Sequence, residues 1–398
     1  MNKRLTAITA VLALVTSVTS CDQGKVPSAT LPIMAWYSIP AEDATLERYQ
    51  ELADCGFNIN FSHLYSLEDL KTALDLSQQV GVKVMATCTA LESATDSAVA
   101  LVKDHPALYG YFLRDEPACP GFPYLAEWAQ KIKAADDSHM LYLNLLPNYA
   151  PLEMLGASSY REYVKRFIDE VKLPLVSFDF YPITTEGIRQ MWYANLQDVA
   201  DESTAAGLPF WAFALSTAHD PYPEPTMASL RIQMYTNLAY GAQGLQYFTY
   251  WNPGTEIWNF HEAPINQDKE RSAAYDLVKA MNEELQARAG IFVGAKLVSL
   301  AHTGETVPPE CKRLEELPEH VTMLDTGADG AVVSVLENGG VKYLVCVNRS
   351  LDKPFELKVA FDTKAFMIDR DGKAVKVAKG ENTYTVEEGD VAIFQLKK

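Results

Sequence analysis

The densest group of chemically active residues in this sequence is Arg114-Asp115-Glu116, which directly follows an apolar and aromatic run. The run, 108–113, has the composition of a buried parallel strand, and charge at the end of such a strand is costly unless it serves a purpose. Because side chains alternate along a strand, Asp115 and Glu116 are expected on opposite sides, with at most one facing a shared pocket. The alternative interpretation is a strand that simply ends in a solvated turn at Pro117.

The elements that must position this group form a regular alternation. Eight apolar runs, each followed by a segment with helical spacing, extend from Ile33 to Ala289, and 108–113 is the fourth run. Eight such units over about 260 residues predict a (β/α)8 TIM barrel. The rival fold, a doubly wound open sheet, is disfavoured because no G-x-G-x-x-G motif follows the first strand. From Lys296 onward, short β runs separated by Asn-Gly-Gly and Asp-Gly turns predict a small antiparallel β-sandwich.

The N-terminus has the features of a processing signal. A basic Asn2-Lys3-Arg4 head precedes an apolar stretch that is too short to span a membrane comfortably. A small residue before Cys21 resembles the bacterial lipobox, which implies that Cys21 is lipidated; the alternative is an ordinary secretory signal with an incidental cysteine. We predict an exported lipoprotein of the periplasm or outer-membrane surface. Its segments are a signal peptide at 1–20, a tether at 21–31, a catalytic barrel at 32–295 and a β-sandwich at 296–398.

The composition argues against several classes of function. The formal net charge of −18 repels polyanions, so we expect no nucleic-acid partner. The seven histidines are scattered, without an i,i+4 pair or an H-E-x-x-H motif, and no metal site is expected. There is no glycine-rich phosphate cradle and no G-x-S-x-G nucleophile elbow, and we expect no cofactor.

The active site of a (β/α)8 barrel lies at the carboxyl ends of its strands. The residues that fall there are carboxylates, amides and aromatics, which suit a carbohydrate because aromatic rings stack on a pyranose and polar groups bind its hydroxyls. The predicted substrate-binding residues are Trp36, Tyr37, His63, Arg114, Asp115, Asn144, Tyr181, His219, Trp251, Asn252 and Trp258. Arg114 is expected to pair with Asp115 rather than to bind an acidic sugar, and Asn144 fits loop capping as well as sugar binding.

Two segments resemble a known group of enzymes. Glu116 after strand four, Tyr181 after strand six and Trp251 after strand eight resemble the clan A glycoside hydrolases. The run 230–251 is similar to the helix seven–strand eight segment of the family 42 β-galactosidases and their relatives. The resemblance implies that Glu116 is the acid/base, that Tyr181 hydrogen-bonds the nucleophile and that Trp251 forms the floor of the sugar subsite. Asp115 stands where the clan usually has Asn.

The sequence departs from this clan at the nucleophile, which the clan places as a Glu at the end of strand seven. The corresponding run here, 210–216, contains no acid. Asp179 ends an otherwise apolar strand six and would face Glu116 across the barrel mouth, so it is the predicted partner carboxylate. Its alternative role is to hold Tyr181, Arg114 or a sugar hydroxyl. The other candidates for the partner are Asp220, Glu224, Glu256 and Glu262, and the remaining alternative is that no second catalytic carboxylate exists.

These residues predict a glycoside hydrolase that cleaves O-glycosidic bonds of oligo- or polysaccharides, with Glu116 as the general acid. The alternative from another class is a non-catalytic glycan-binding lipoprotein on a barrel that has lost its nucleophile. A third hypothesis is a polysaccharide lyase, for which His63, Tyr65 and Arg114 could supply a base and a positive charge.

Overall fold

The computed structural model describes residues 26–254, 256 and 258–397, so the predicted signal peptide and Cys21 lie outside the described residues. Eight short parallel strands form the first domain. They are β1 Ile33–Trp36, β2 Ile59–Asn60, β3 Lys83–Ala86, β4 Leu108–Asp115, β5 Met140–Asn144, β6 Val176–Phe178, β7 Phe210–Leu215 and β8 Gly244–Phe248.

The strands pair in the order β5-β4-β3-β2-β1-β8-β7-β6. The ring closes between β5 and β6, where Leu145 and Phe178 form a parallel bridge and the Leu145 amide donates to the Ser177 carbonyl over 2.8 Å. Closure satisfies the edges that an open sheet would expose. The predicted (β/α)8 barrel is therefore confirmed, and the doubly wound sheet is wrong.

Helices cover the outside of the barrel, and their ends follow local sequence signals. The Ser66 hydroxyl caps one helix by accepting from the Asp69 amide, and Gly81 ends the same helix at φ 77°. The helices are α1 Leu46–Asp54, α2 Leu67–Val80, α3 Thr89–Ser93, α4 Thr95–Val102, α5 Phe122–Ala135, α6 Leu152–Leu155, α7 Tyr160–Val171, α8 Met191–Ala206, α9 Met227–Ala239, α10 Ala273–Ala287 and α11 Ala289–Phe292. Within the described ranges, no helix has the length and apolar character required to cross a bilayer.

Six of the eight strands end earlier than their apolar runs predicted, and strands two and eight show the effect on the rim. Strand two was expected over 57–65 but ends at Asn60, and just beyond it the chain turns at Ser62, whose carbonyl accepts from the Leu64 amide. Strand eight was expected to reach Tyr250 but ends at Phe248. The residues beyond these points belong to the rim loops, so the early ends change which side chains occupy the barrel mouth.

Large side chains fill the interior of the barrel. Trp36 packs with Phe61, Phe112 and Phe213 at ring-centroid distances of 4.4–5.5 Å. Among these rings the Tyr142 hydroxyl donates to the Gln246 side chain, whose amide in turn donates to Ser177 Oγ over 2.9 Å. A single buried polar chain thus crosses an otherwise apolar lumen, and it leads towards the carboxyl ends of the strands.

The second domain is an antiparallel β-sandwich, as the turn pattern predicted. A six-stranded sheet pairs in the order β9-β11-β12-β17-β14-β15, and a three-stranded sheet pairs as β10-β13-β16. The strands are β9 Lys296–His302, β10 Val321–Asp325, β11 Ala331–Asn338, β12 Val341–Asn348, β13 Phe355–Phe361, β14 Lys364–Ile368, β15 Ala374–Lys376, β16 Asn382–Val386 and β17 Val391–Lys397.

A buried ion network joins the two domains. Glu284 on α10 accepts from Arg231 on α9 over 2.8 Å, from the Tyr235 hydroxyl over 2.7 Å and from Arg288 over 3.2 Å. Arg231 also lies 3.7 Å from Asp390 of the sandwich. Each charge has at least one opposite partner, which is the condition under which buried ions are tolerated.

Glu284→Gln should destabilise the protein by about 3 kcal/mol, because it leaves two buried guanidinium groups without their shared carboxylate. The free energy of unfolding from chemical denaturation measures the loss. Asp169→Asn, which removes an exposed i,i+4 partner of Lys165 on α7, is the control and should leave the unfolding midpoint unchanged. Equal effects of the two substitutions would contradict the structural role assigned to the buried network.

Candidate active site

Glu116 lies immediately after β4, at the rim of the barrel mouth, and is half-buried. Its amide donates to the Asn144 carbonyl over 2.8 Å, which pins it to the neighbouring strand. Its backbone has φ 47°, a left-handed conformation that is uncommon for a residue with a side chain. This conformation breaks the alternation of the strand. Asp115 and Glu116 line the same cavity of about 430 Å³, so the expectation that only one of them would face a shared pocket is wrong.

Asn144, the last residue of β5, connects the carboxyls beneath the rim. Its side-chain amide donates to Asp179 over 3.0 Å and to Asp115 over 3.3 Å. Its side-chain oxygen accepts from Ser177 Oγ over 3.1 Å, so the polar chain of the lumen ends here. Both donors and the acceptor of Asn144 are used within the protein. The structure therefore gives Asn144 a positioning role, by which it holds Asp115 and Asp179 in place.

Asp179 follows β6 and is buried, with 7% of its surface exposed. The Tyr181 hydroxyl and the carboxyl of Glu116 lie close enough to the Asp179 carboxyl to influence its pKa. Neighbouring carboxyls resist ionising together, because the charge of one raises the cost of ionising the next. Glu116 and Asp179, far apart in the sequence, are therefore neighbours at the rim, and Asn144 links Asp179 to Asp115.

Loss of hydration raises the pKa values of all three carboxyls, and neighbouring charges raise those of Asp115 and Asp179 further. Desolvation raises the pKa of Asp179 well above its ordinary range, and the charges of Glu116 and Asp115 raise it further. Desolvation also raises the pKa of Glu116. The pKa of Asp115 rises to about 7, through desolvation and the nearby Glu116. The group consequently keeps protons at a pH where free carboxyls have lost them.

The rim around these acids is concave. Asp115 and His63 are both exposed by surface area, yet each lies among enough protein atoms to lose hydration. That loss raises the pKa of Asp115 and lowers the pKa of the His63 imidazole. Such side chains are accessible to solvent but incompletely hydrated, which is typical of residues that contact a ligand in a cleft.

The predicted pairing of Arg114 with Asp115 is wrong. Arg114 instead donates to Glu92 on α3 over 2.9 Å, and the Tyr124 hydroxyl donates to the same carboxylate oxygen over 2.7 Å. The reason is the strand alternation, which turns Arg114 towards the helix side while Asp115 turns towards Asn144. Arg114 still lines the cavity that contains Glu116.

His219 and Asn252 occupy the loops after β7 and β8, and both are buried. His219 hydrogen-bonds the Thr217 carbonyl through Nδ1, and its ring packs on Phe260 at 4.4 Å. Asn252 donates to the Phe260 carbonyl over 3.0 Å and accepts from the Gly254 amide over 2.8 Å. Both residues shape the β8 loop.

The predicted aromatic contacts separate into two layers. Trp36, 3% exposed, is part of the packed lumen and forms the floor of the mouth. Tyr37, Trp251 and Trp258 line a second cavity of about 710 Å³ between the loops after β1 and β8. Arg48 lies over the Trp251 ring at 5.3 Å, so the mostly buried indole has one occupied face. The larger of these two cavities is thus not the one that contains Glu116.

Sequence reasoning missed Phe248, the last residue of β8. Its ring packs on Tyr181 at 5.4 Å, on Phe260 at 5.9 Å and on His219 at 6.1 Å. It was missed because the apolar run continues to Tyr250, which is fully buried, and the composition of the run does not mark where the strand leaves the sheet. The alternation of buried side chains alone would not have found it.

The end of β7 carries no carboxylate, as the sequence indicated. Ser216 Oγ donates to the Thr249 carbonyl over 2.7 Å, and the hydroxyls of Thr217 and Thr249 lie 2.7 Å apart. The alternative partner acids lie in the loops beyond. Asp220, Glu224 and Glu256 are exposed, and Glu262 is half-buried. Among the residues that the structure describes, no cluster of His, Cys, Asp and Glu side chains could hold a metal ion.

No protein-family model matches this chain, and no curated protein matches it in sequence. Solved structures do resemble it. A catalytic mutant of a glycoside hydrolase family 42 β-galactosidase from G. stearothermophilus aligns with a TM-score of 0.62 at 8% identity, over 94% of this chain and 100% of that one. A family 27 β-L-arabinopyranosidase from Geobacillus stearothermophilus aligns with a TM-score of 0.53 at 12% identity, over 93% and 98% of the two chains.

A β-galactosidase from the psychrophilic Marinomonas ef1 aligns with a TM-score of 0.48 at 10% identity, and the match covers 65% of this chain and 60% of that one. At such identities the likeness concerns the fold alone. The structural neighbours of this chain are (β/α)8 glycoside hydrolases, and its fold is the one that they share.

Proposed function

We propose that this protein is a glycoside hydrolase and that Glu116 is its general acid. The observation that carries the proposal is the group of three carboxyls at the ends of β4 and β6, in the mouth of a barrel whose structural neighbours act on glycosides. Glycosidic bond cleavage requires a carboxylic acid that still holds its proton near neutral pH. Burial raises the pKa of Glu116 in that direction.

In this mechanism, Glu116 donates its proton to the glycosidic oxygen as the bond between that oxygen and the anomeric carbon breaks. Positive charge develops on the sugar ring, and the neighbouring carboxyls stabilise it. A water molecule supplies the new hydroxyl at the anomeric carbon, and its proton returns to the carboxyl group. The net change is hydrolysis, with no cofactor consumed.

Asp179 acts as a positioning residue in this proposal. Asp179 is buried, its carboxyl accepts from Asn144 over 3.0 Å, and burial raises its pKa well above the ordinary range. These conditions favour its protonated form, which is a poor nucleophile. They support instead a role in which Asp179 orients Glu116 and exchanges a proton with it.

A second function is supported by one observation, the lack of a carboxylate at the end of β7. A barrel without a nucleophile could bind a glycan without cleaving it. The two proposals differ in whether the wild-type protein releases reducing ends. Lipidation at Cys21 and export also stay proposals, and they rest on the N-terminal sequence alone.

Glu116→Gln should lower hydrolysis by roughly 10³-fold, because the amide cannot donate the required proton to the leaving oxygen. The assay follows reducing-end release from a panel of neutral oligosaccharides, with the product anomer read by NMR. Glu127→Gln, the same change at an exposed position of α5, is the control and should keep full activity. Full activity in Glu116→Gln would refute the proposal, whereas a wild type that binds glycans without cleaving them would favour the binding function.

Asp179→Asn should lower kcat by roughly 10²-fold, less than the loss at Glu116, since an amide keeps the size and polarity of the side chain but cannot exchange a proton. The alkaline limb of kcat/KM should also move to higher pH, because Asp179 lowers the pKa of Glu116 and the amide removes that effect. A pH–rate profile measures both effects. Recovery of activity with azide, giving a glycosyl azide, would instead show that Asp179 is the nucleophile.

Asp115→Asn should remove part of the pH dependence of stability. A carboxyl whose pKa rises from 3.8 to about 7 on folding binds more protons in the folded state, so stability falls as pH rises from about 4 to about 7. We expect the wild type to lose stability relative to Asp115→Asn across this window. Chemical denaturation at several pH values measures the difference, and parallel curves for the two proteins would contradict the poorly hydrated, raised-pKa environment of Asp115.

A further inference from the structure

The exposed aromatic side chains of the described part of the chain all lie on one face of the molecule. They follow four different barrel strands, β2, β4, β5 and β8, and therefore surround the mouth. These residues are Tyr65, Tyr124, Tyr149 and Trp258, with 77%, 51%, 40% and 58% of their surfaces exposed. Exposed rings concentrated in this way mark a binding surface, because scattered ones would be spread over both domains.

Of these four rings, Tyr124 and Tyr149 lie beside the carboxyls and Trp258 lies far from them. Tyr124 lines the cavity that contains Glu116, and the Tyr149 ring packs at 5.1 Å on Phe180, which directly follows Asp179. Trp258 instead lines the 710 Å³ cavity between the β1 and β8 loops. In the closed ring of eight strands, β4 and β8 are four strands apart, so this cavity lies across the mouth from Glu116.

Ring contacts connect the two places without a break. Tyr181 follows Asp179 by two residues, its ring packs on Phe248 at 5.4 Å, and Phe248 packs on Phe260 at 5.9 Å. Phe260 is itself part of the lining of the distal cavity. A pyranose is about the size of one aromatic ring, so a single sugar cannot contact both Glu116 and Trp258.

The charges of the distal cavity restrict what it can take. Its lining includes the acids Glu42, Asp43 and Glu256 and one base, Lys269. Lys269 is already paired with Asp43 over 2.7 Å. The lining therefore carries an excess of negative charge. The cavity consequently disfavours uronic acids and sulfated sugars and accepts uncharged hydroxyl groups.

We infer that the cavity lined by Tyr37, Trp251 and Trp258 is a distal subsite for a neutral sugar unit, and that the substrate is an oligosaccharide chain that crosses the barrel mouth. The scissile bond lies at Glu116, and the far end of the chain stacks on Trp258. This inference rests on the proposed glycosidase function for the position of the scissile bond. Beyond that function, it specifies that the substrate is an uncharged oligosaccharide with a minimum chain length.

The test uses the full mature chain carrying Glu116→Gln, with and without Trp258→Ala, and neutral gluco-, manno- and galacto-oligosaccharides from disaccharide to octasaccharide. Titration calorimetry should show that affinity rises with chain length up to a plateau. Trp258→Ala should lower the affinity for chains at the plateau by about tenfold more than for the disaccharide, as loss of one stacking contact predicts. Trp258→Phe should restore most of the difference.

Leu101→Ala on α4, with 56% of the leucine exposed, is the control and should bind every chain as the parent does. Oligogalacturonides of matched length should bind more weakly than the neutral chains. The inference is overturned if affinity does not depend on chain length, if Trp258→Ala weakens all chains equally, or if the uronate chains bind as tightly. Length-dependent, Trp258-dependent binding by a wild type that hydrolyses nothing would sustain the subsite and refute the glycosidase. Hydrolysis that requires Glu116 but is independent of chain length would support the glycosidase and refute the subsite.

Discussion

The side-chain amide of Asn144 is the constraint on which the arrangement of the carboxyls depends. It donates to Asp115 and Asp179 and accepts from Ser177, which the Gln246 amide contacts from within the lumen. Acids held this close repel one another when ionised, and burial raises the cost. The amide donors of Asn144, and the protons that the raised pKa values retain, offset that repulsion. A hydrogen-bond chain that begins in the barrel interior thus sets the geometry at its rim.

The same packing that stabilises the barrel sets the acidity of its mouth. Trp36 and Phe248 exclude water from the lumen and from the wall beside Tyr181. The carboxyl of Asp179 is therefore poorly hydrated, and its pKa rises for that reason before any neighbouring charge acts on it. Core packing and acid–base chemistry are consequently coupled, so a cavity opened beneath the rim would let water in and move the pKa values towards their ordinary range.

Much of this arrangement was predictable because it follows from short-range patterns. The eight apolar runs gave the barrel, and the fourth and sixth of them placed Glu116 and Asp179 at its mouth. The wrong predictions concern positions where the tertiary structure overrides a local sequence pattern. The left-handed backbone at Glu116 brought it to the same cavity as Asp115, against the alternation of a strand. Arg114 pairs instead with Glu92, which belongs to another strand–helix unit of the barrel. Sequence spacing within one unit cannot predict such a contact.

The sequence by itself determined which residues stand at the carboxyl ends of the strands, because hydrophobic periodicity and helix-ending signals are encoded within each unit. Only the tertiary structure decided which of those residues meet. The proximity of Glu116 and Asp179 requires β5 and β6 to pair and close the ring, and the ring contacts from Tyr181 through Phe248 to the distal cavity require β8 to end where it does. Such contacts join residues far apart in the chain, and their positions depend on strand register and closure, which no local pattern specifies.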